Sequence, residues 1–229
     1  MCIESRLNDV KARISAAAKE CGREPEDIKL IAVTKTYPIE AMNEAIRLGV
    51  TDIGENKPQE IRDKFDNVSP VNWHLIGHLQ TNKVKYIIDR CTLIHSVDSI
   101  KLMTEIDRQA QNHNRDIDIL IQVNISGEES KSGIAPDELP LLLEYAKNLT
   151  NTHVKGLMTI APKCDIDEVS RHFSNMKELF DQTAKQSYKN VTMTELSMGM
   201  SGDFETAIEY GATMVRVGSS IFGPRNYNQ

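Results

Sequence analysis

The chain has 229 residues, 40% hydrophobic and 26% charged, and a net charge of −6. That length supports one well-buried domain, and the composition is ordinary for a soluble globular protein. The acidic balance leaves no footprint for nucleic acid or an anionic membrane, and no run approaches the roughly 20 apolar residues of a membrane helix.

The opening Met1-Cys2-Ile3-Glu4-Ser5-Arg6 soon turns charged and shows no secretory h-region. Cys2, Cys21, Cys91 and Cys164 are scattered with no C-x-x-C pair. They read as reduced thiols of a cytoplasmic protein, and neither a disulfide framework nor a metal site is expected from them.

Leu7, Val10, Ile14, Ala17 and Cys21 recur at helical spacing before Gly22, so a helix is expected over about 5–21. A β-branched apolar run at 28–35 reads as the first strand, and 39–48 as an amphipathic helix between Pro38 and Gly49. A short strand at 51–55 precedes a helix opened by Pro58; strand 73–77 precedes helical 81–88; strand 93–97 precedes a helix capped by Asp98 and ending near His113. Strand 117–124 is followed by helix 136–149, strand 154–160 by helix 167–186, and strand 194–198 by helix 204–210; the last strand is 214–218.

Eight strands, each followed by a helix or a short terminal segment, match the count of a closed parallel (β/α)8 barrel in a single domain over 1–229. A doubly wound open sheet competes, but no G-x-G-x-x-G follows the first strand. In a barrel the C-terminal strand ends form the active face, and phosphate commonly binds after strands seven and eight.

Three features fall at those places. Lys35 ends the first strand; Ser197-Met198-Gly199-Met200-Ser201-Gly202-Asp203 follows the seventh; Val217-Gly218-Ser219-Ser220 follows the eighth. Glycine and serine turns offer N–H groups and hydroxyls to a phosphate. A lysine whose pKa is depressed can condense with an aldehyde. Aldehyde and phosphate on one small molecule describe pyridoxal phosphate.

Each residue also has a plainer reading. Lys35 can be a solvated strand end, Ser201 the N-cap of the helix after it, and Gly218-Ser219 an ordinary turn. Arg216 shares a strand face with Gly218, so it needs a buried partner: either a carboxylate such as Glu195 or Glu55, or the ring nitrogen of a cofactor. Asn56 is either a turn residue before Pro58 or a donor to the cofactor. His74 and His78 read as structural, with no partner acid at metal spacing. Lys131 in the loop after strand five is a secondary candidate. Met158, Met193, Met198 and Met200 read as gap-filling core.

The order of Ala32-Val33-Thr34-Lys35, Gly54-Glu55-Asn56, Trp73-His74-Leu75-Ile76-Gly77-His78-Leu79-Gln80, Gly127-Glu128-Glu129-Ser130-Lys131-Ser132-Gly133, Gly156-Leu157-Met158-Thr159-Ile160, Leu196-Ser197-Met198-Gly199-Met200-Ser201-Gly202-Asp203 and Arg216-Val217-Gly218-Ser219 resembles the pyridoxal phosphate homeostasis proteins, relatives of the alanine racemase barrel. The resemblance runs from about residue 6 to Gly223. It implies a fold-type III barrel with pyridoxal 5'-phosphate as an internal aldimine on Lys35. It further implies phosphate contacts from Ser201, Gly202, Gly218 and Ser219, Arg216 at the pyridine nitrogen, and a role in vitamin B6 and amino-acid balance without robust turnover.

Against the racemases, no C-terminal β domain is expected, and Ile160 stands where they usually place a histidine. A monomer is expected, with the cofactor and cofactor-dependent apoenzymes as partners. The enzyme alternatives are a minimal amino-acid racemase and a Schiff-base aldolase using Lys155.

Overall fold

A computed structural model describes residues 2–128, 131–162 and 164–224. The chain opens with helix α1 (Ile3–Glu20), which buries Leu7, Val10, Ile14, Ala17 and Ala18 along one face. Alternation follows: β1 (Lys29–Val33), α2 (Ile39–Arg47), β2 (Asp52–Glu55), α3 (Pro58–Lys64), β3 (Asn72–Leu75), β4 (Cys91–Val97), α4 (Ile100–Asn112) and β5 (Ile117–Gln122). Then come α5 (Leu139–Ala146), β6 (Thr152–Met158), α6 (Ile166–Ala184), β7 (Val191–Met200), α7 (Phe204–Glu209), β8 (Met214–Val217) and α8 (Ser219–Phe222).

The eight strands are parallel and close into a barrel in chain order, with β8 returning to β1 through the pairs Lys29↔Met214 to Ala32↔Val217. Two layers of core result from the two-residue period of a strand. Outward residues such as Ala32, Ile94 and Val215 join the shell between strands and helices. Inward residues Ile31, Leu93, Leu120, Met158 and Met214 fill the barrel, with Ile160 packed against them. Two residues further along the same strand faces stand His95, Gln122 and Arg216, so the interior turns polar towards the C-terminal ends.

Several local expectations are corrected. Residues Thr81–Tyr86 form a 3-10 helix, not an α-helix. The helix expected from 136 begins as a 3-10 turn, Pro136–Glu138, because Pro136 and Pro140 interrupt the start, and α5 follows. Ser99, not Asp98, caps α4: its hydroxyl accepts from the Leu102 N–H at 3.3 Å, while Asp98 faces His78 at 3.6 Å. Strand β1 ends at Val33, which leaves Lys35 in the turn beyond it. Among the described residues no helix is long and apolar enough to cross a membrane.

Candidate functional site

A cavity of about 970 Å³ opens at the C-terminal ends of the strands. Lys35, Asn56, Ser201, Gly202, Arg216, Gly218 and Ser219 all line it, as do His78, Lys131, Ile160 and Met200. Residues spread over nearly the whole chain meet here because each follows, or nearly ends, a strand of one closed sheet. Met200 is thus corrected from core filler to a partly exposed residue of the mouth, whereas Met158 and Met198 are buried. Lys155 lies in β6 beside Asp118, 3.8 Å away, and is not part of the cavity wall.

The turn that carries Lys35 is held from both sides. Thr34 donates its N–H to the Gly54 carbonyl at 3.0 Å and its hydroxyl to Glu55 Oε1 at 2.8 Å. Thr36 has φ of +68°, a left-handed conformation that costs a β-branched residue strain, and its N–H donates to Glu60 Oε2 at 3.0 Å. Lys64 donates to both Glu55 and Glu60, at 2.9 and 2.8 Å. Glu55 is fully buried, and burial pushes its carboxyl up to about 7 against the pull of Lys64. On the opposite side, Tyr37 donates its hydroxyl to the Gly223 carbonyl at 2.6 Å, tying this turn to the chain's exit from β8.

Arg216 is 3% exposed, and its partners are neutral. It donates to Ser197 Oγ at 2.5 Å and to the Thr159 carbonyl at 2.8 Å. Neither carboxylate expected from sequence reaches it: Glu195 accepts from the Thr213 hydroxyl, and Glu55 serves Thr34 and Lys64. Among the described residues Arg216 forms no ion pair, and burial lowers its pKa to about 10 despite the attraction of Asp203.

Behind Arg216 runs a chain that sequence reasoning missed. Ser197 Oγ lies 3.0 Å from His95 Nδ1, His95 Nε2 lies 2.9 Å from His74 Nδ1, and His74 Nε2 lies 2.9 Å from Asp52 Oδ1. Its ends set its protons. Arginine only donates, so Ser197 accepts from it and passes its own proton to His95 Nδ1. His95 then donates from Nε2 to His74, and His74 from Nε2 to the carboxylate of Asp52. Both imidazoles are neutral in this order. Burial pushes both below the usual histidine range, His95 furthest.

Two turns close the cavity wall. The Ser201 hydroxyl accepts from the Gly218 N–H at 3.1 Å, so the turns after β7 and β8 are locked to each other. Ser201 is not the cap of α7, as the sequence suggested. Asp203 occupies that place and accepts from the Met200 N–H at 2.5 Å. A Cβ built on Gly202 would meet no atom within 4 Å, so its backbone faces open space. At Gly77 a Cβ would lie 2.5 Å from the Asn56 carbonyl oxygen, so only glycine lets the segment after β3 press against the backbone of Asn56 at the mouth. Gln122 also lines the cavity, and its amide donates to the Ser132 carbonyl at 3.0 Å, bracing the loop that bears Lys131.

Eight closed parallel strands with polar and cationic groups at their C-terminal ends define a ligand-binding (β/α)8 barrel. The family described as alanine racemase, N-terminal domain, matches residues 6–226. The pyridoxal phosphate homeostasis protein of Aquifex aeolicus is 44% identical over 225 residues, 97% of this chain and 98% of that one. Its counterpart in Haemophilus influenzae is 40% identical over 233 residues, covering 100% and 98%. The chain belongs to this family and, within it, to the pyridoxal phosphate homeostasis proteins.

Among solved structures, PipY of Synechococcus elongatus with pyridoxal phosphate bound superposes with a TM-score of 0.81 at 32% identity, over 96% of this chain and 100% of that one. Alanine racemase of Clostridium difficile shares the fold, with a TM-score of 0.71 at 15% identity, over 99% of this chain and 57% of that one.

Proposed function

We propose that this protein holds pyridoxal 5'-phosphate in the barrel mouth on Lys35 and serves vitamin B6 and amino-acid homeostasis in the cytoplasm, keeping and handing on the cofactor without robust turnover. One observation carries the reading: Lys35, the buried Arg216 and the two locked glycine–serine turns border one cavity. The donor set fits the group. A guanidinium buried among neutral acceptors suits a pyridine nitrogen, and the open backbone at Gly202 suits a phosphate.

Bound there, the cofactor supplies an aldehyde that joins an amine reversibly and a ring that withdraws electrons. The chain's own groups limit the second property. Arg216 can only donate, so a ring nitrogen held against it would stay unprotonated and the ring would be a weak electron sink. Ser201, Gly202, Gly218 and Ser219 would hold the phosphate, with the N–H groups of Ser219 and Ser220 opening the helix while those of Ile221 and Phe222 donate to the Gly218 carbonyl. Asn56 on the cavity wall would offer a hydrogen bond to the ring hydroxyl or beside the Lys35 amine. Lys35 supplies the amine, in a turn fixed by Glu55 and Glu60. Two-base racemisation needs groups on both faces of an α-carbon. Ile160 on the cavity wall supplies none.

The large hydrophobic side chains exposed among the described residues are Leu141, Ile166 and Met200, two of them at the mouth. That pattern supports a monomer, with apoenzymes met at the mouth.

The test is the visible absorption of the purified protein, then borohydride reduction and peptide mapping. An adduct on Lys35, absent from Lys35→Ala, is the expected result. The variant stays folded because the core of β1 is Ile31, Ala32 and Val33. A protein that takes up no added pyridoxal phosphate would overturn the reading.

A further inference from the structure

Apart from the residues proposed to hold the cofactor, one cluster of side chains at the cavity rim has no role in the proposed function. Glu168 and His172 stand one turn apart on α6, and Cys164 lies just before the helix's N-cap Asp165, so the three gather at the start of α6. One ligand atom from each, a thiol sulfur, a carboxylate oxygen and an imidazole nitrogen, can be chosen so that all lie within 4.8 Å of one another. Asp165, between Cys164 and the helix, caps α6 by accepting from the Glu168 N–H at 2.9 Å.

His172 is the informative member. Both its ring nitrogens are buried and lack a hydrogen-bond partner, and the Glu168 carboxylate approaches Nε2 only to 3.8 Å. A buried polar atom left without a partner is costly. No lysine or arginine among the described residues pairs with Glu168.

We propose that Cys164, Glu168 and His172 form a three-ligand site for a divalent cation of the zinc class at the rim of the barrel mouth. Thiolate, carboxylate and imidazole are the donor types such ions take, at bond lengths of about 2.0–2.3 Å, with a fourth position left open. Ligand atoms of a tetrahedron of that size stand about 3.5 Å apart, so side-chain rotation of roughly an ångström closes the site. Cys164 and Ile166 also line the cavity. The open position is therefore available to a donor group of a molecule at the mouth. The proposal does not depend on the cofactor reading, because none of the three ligands is assigned to the cofactor.

The experiment is titration of the chelator-treated full-length protein with Zn2+ by calorimetry, and with Co2+ by visible absorption. One equivalent of Zn2+ is expected to bind, and Co2+ should give intense d–d bands of tetrahedral type with a thiolate charge-transfer band. Cys164→Ser and His172→Ala should each weaken Zn2+ binding by at least about tenfold, while borohydride trapping at Lys35 is unchanged. Circular dichroism reports the fold of each variant, and Glu168→Gln provides a third at a more exposed side chain. Binding that survives all three substitutions, or weak octahedral Co2+ bands without charge transfer, would overturn the site. Loss of trapping at Lys35 with intact Zn2+ binding would instead count only against the cofactor reading.

Discussion

Arg216 and Asp52 stand at opposite ends of one hydrogen-bonded chain through the barrel, and together they dictate the position of every proton between them. One end can only donate and the ionised other can only accept, so His95 and His74 are each neutral with the proton on Nε2. Nitrogen NMR of labelled protein should show both rings as Nε2–H tautomers from pH 8 down to 6. A charged ring, or an Nδ1–H tautomer at either residue, would break the chain as drawn. Ser197→Ala should cost about 1–3 kcal/mol, because it orphans a buried nitrogen on each side.

The same arginine should set the electronic character of a bound cofactor. Arg216→Glu replaces a pure donor by a group able to accept, so the ring nitrogen should protonate and side transamination should rise. The measurement is pyridoxamine phosphate formed from added L-alanine, beside the absorption spectrum. Unchanged spectra and unchanged product would remove Arg216 from the ring nitrogen.

Two glycines at the mouth should respond in opposite ways to the same change. At Gly202 an added Cβ meets nothing within 4 Å, so Gly202→Ala should leave the melting temperature alone. It should weaken pyridoxal phosphate uptake by about tenfold or more, a cost near 1.4 kcal/mol, if the phosphate rests on that backbone. At Gly77 the Cβ would lie 2.5 Å from the Asn56 carbonyl oxygen, so Gly77→Ala should destabilise the fold itself by about 1–3 kcal/mol. Thermal melts paired with cofactor titrations separate the two; equal affinity for Gly202→Ala and wild type would refute the phosphate placement.

Buried Glu55 makes the pH dependence of stability unusual. Its carboxyl, pushed up to about 7 from 4.5, holds a proton in the folded state that the unfolded chain releases. Between those values stability therefore falls as pH rises, by about 1.4 kcal/mol per pH unit. His95, pushed well below 6.5, works the other way: below that pH the unfolded chain takes up a proton the fold refuses, and stability falls as pH drops. The two offset each other between pH 4.5 and 6.5. Glu55→Gln removes the first, so on acidification through that window it should lose about 1.4 kcal/mol per pH unit more than wild type. Urea unfolding at a few pH values measures the difference. Equal slopes would mean that Glu55 is ionised in the fold, as its pairing with Lys64 favours.

Hydrophobic period and glycine or proline punctuation by themselves determined the barrel, because each βα unit writes its own pattern into about 25 residues. Strand order then determined that Lys35, Asn56, Ser201, Gly202, Arg216, Gly218 and Ser219 meet at one end, since a closed parallel sheet brings every C-terminal strand end to the same rim. What contacts those residues make was decided only by the tertiary structure. Arg216 finds Ser197 on the neighbouring strand β7 and Thr159 at the end of β6 instead of Glu195 or Glu55, through a pairing of strands far apart in sequence that no local pattern encodes. Asp52, His74 and His95 are unremarkable in sequence for the same reason: each sits in a short strand whose pattern gives no sign of its partner on the next strand. Cys164, Glu168 and His172 stand at four-residue intervals in the sequence, but the approach of Cys164 to the other two and the burial that leaves His172 without a partner come from packing. Period-based reading captures which way a side chain faces. It carries no term for what waits on the other side of a closed core.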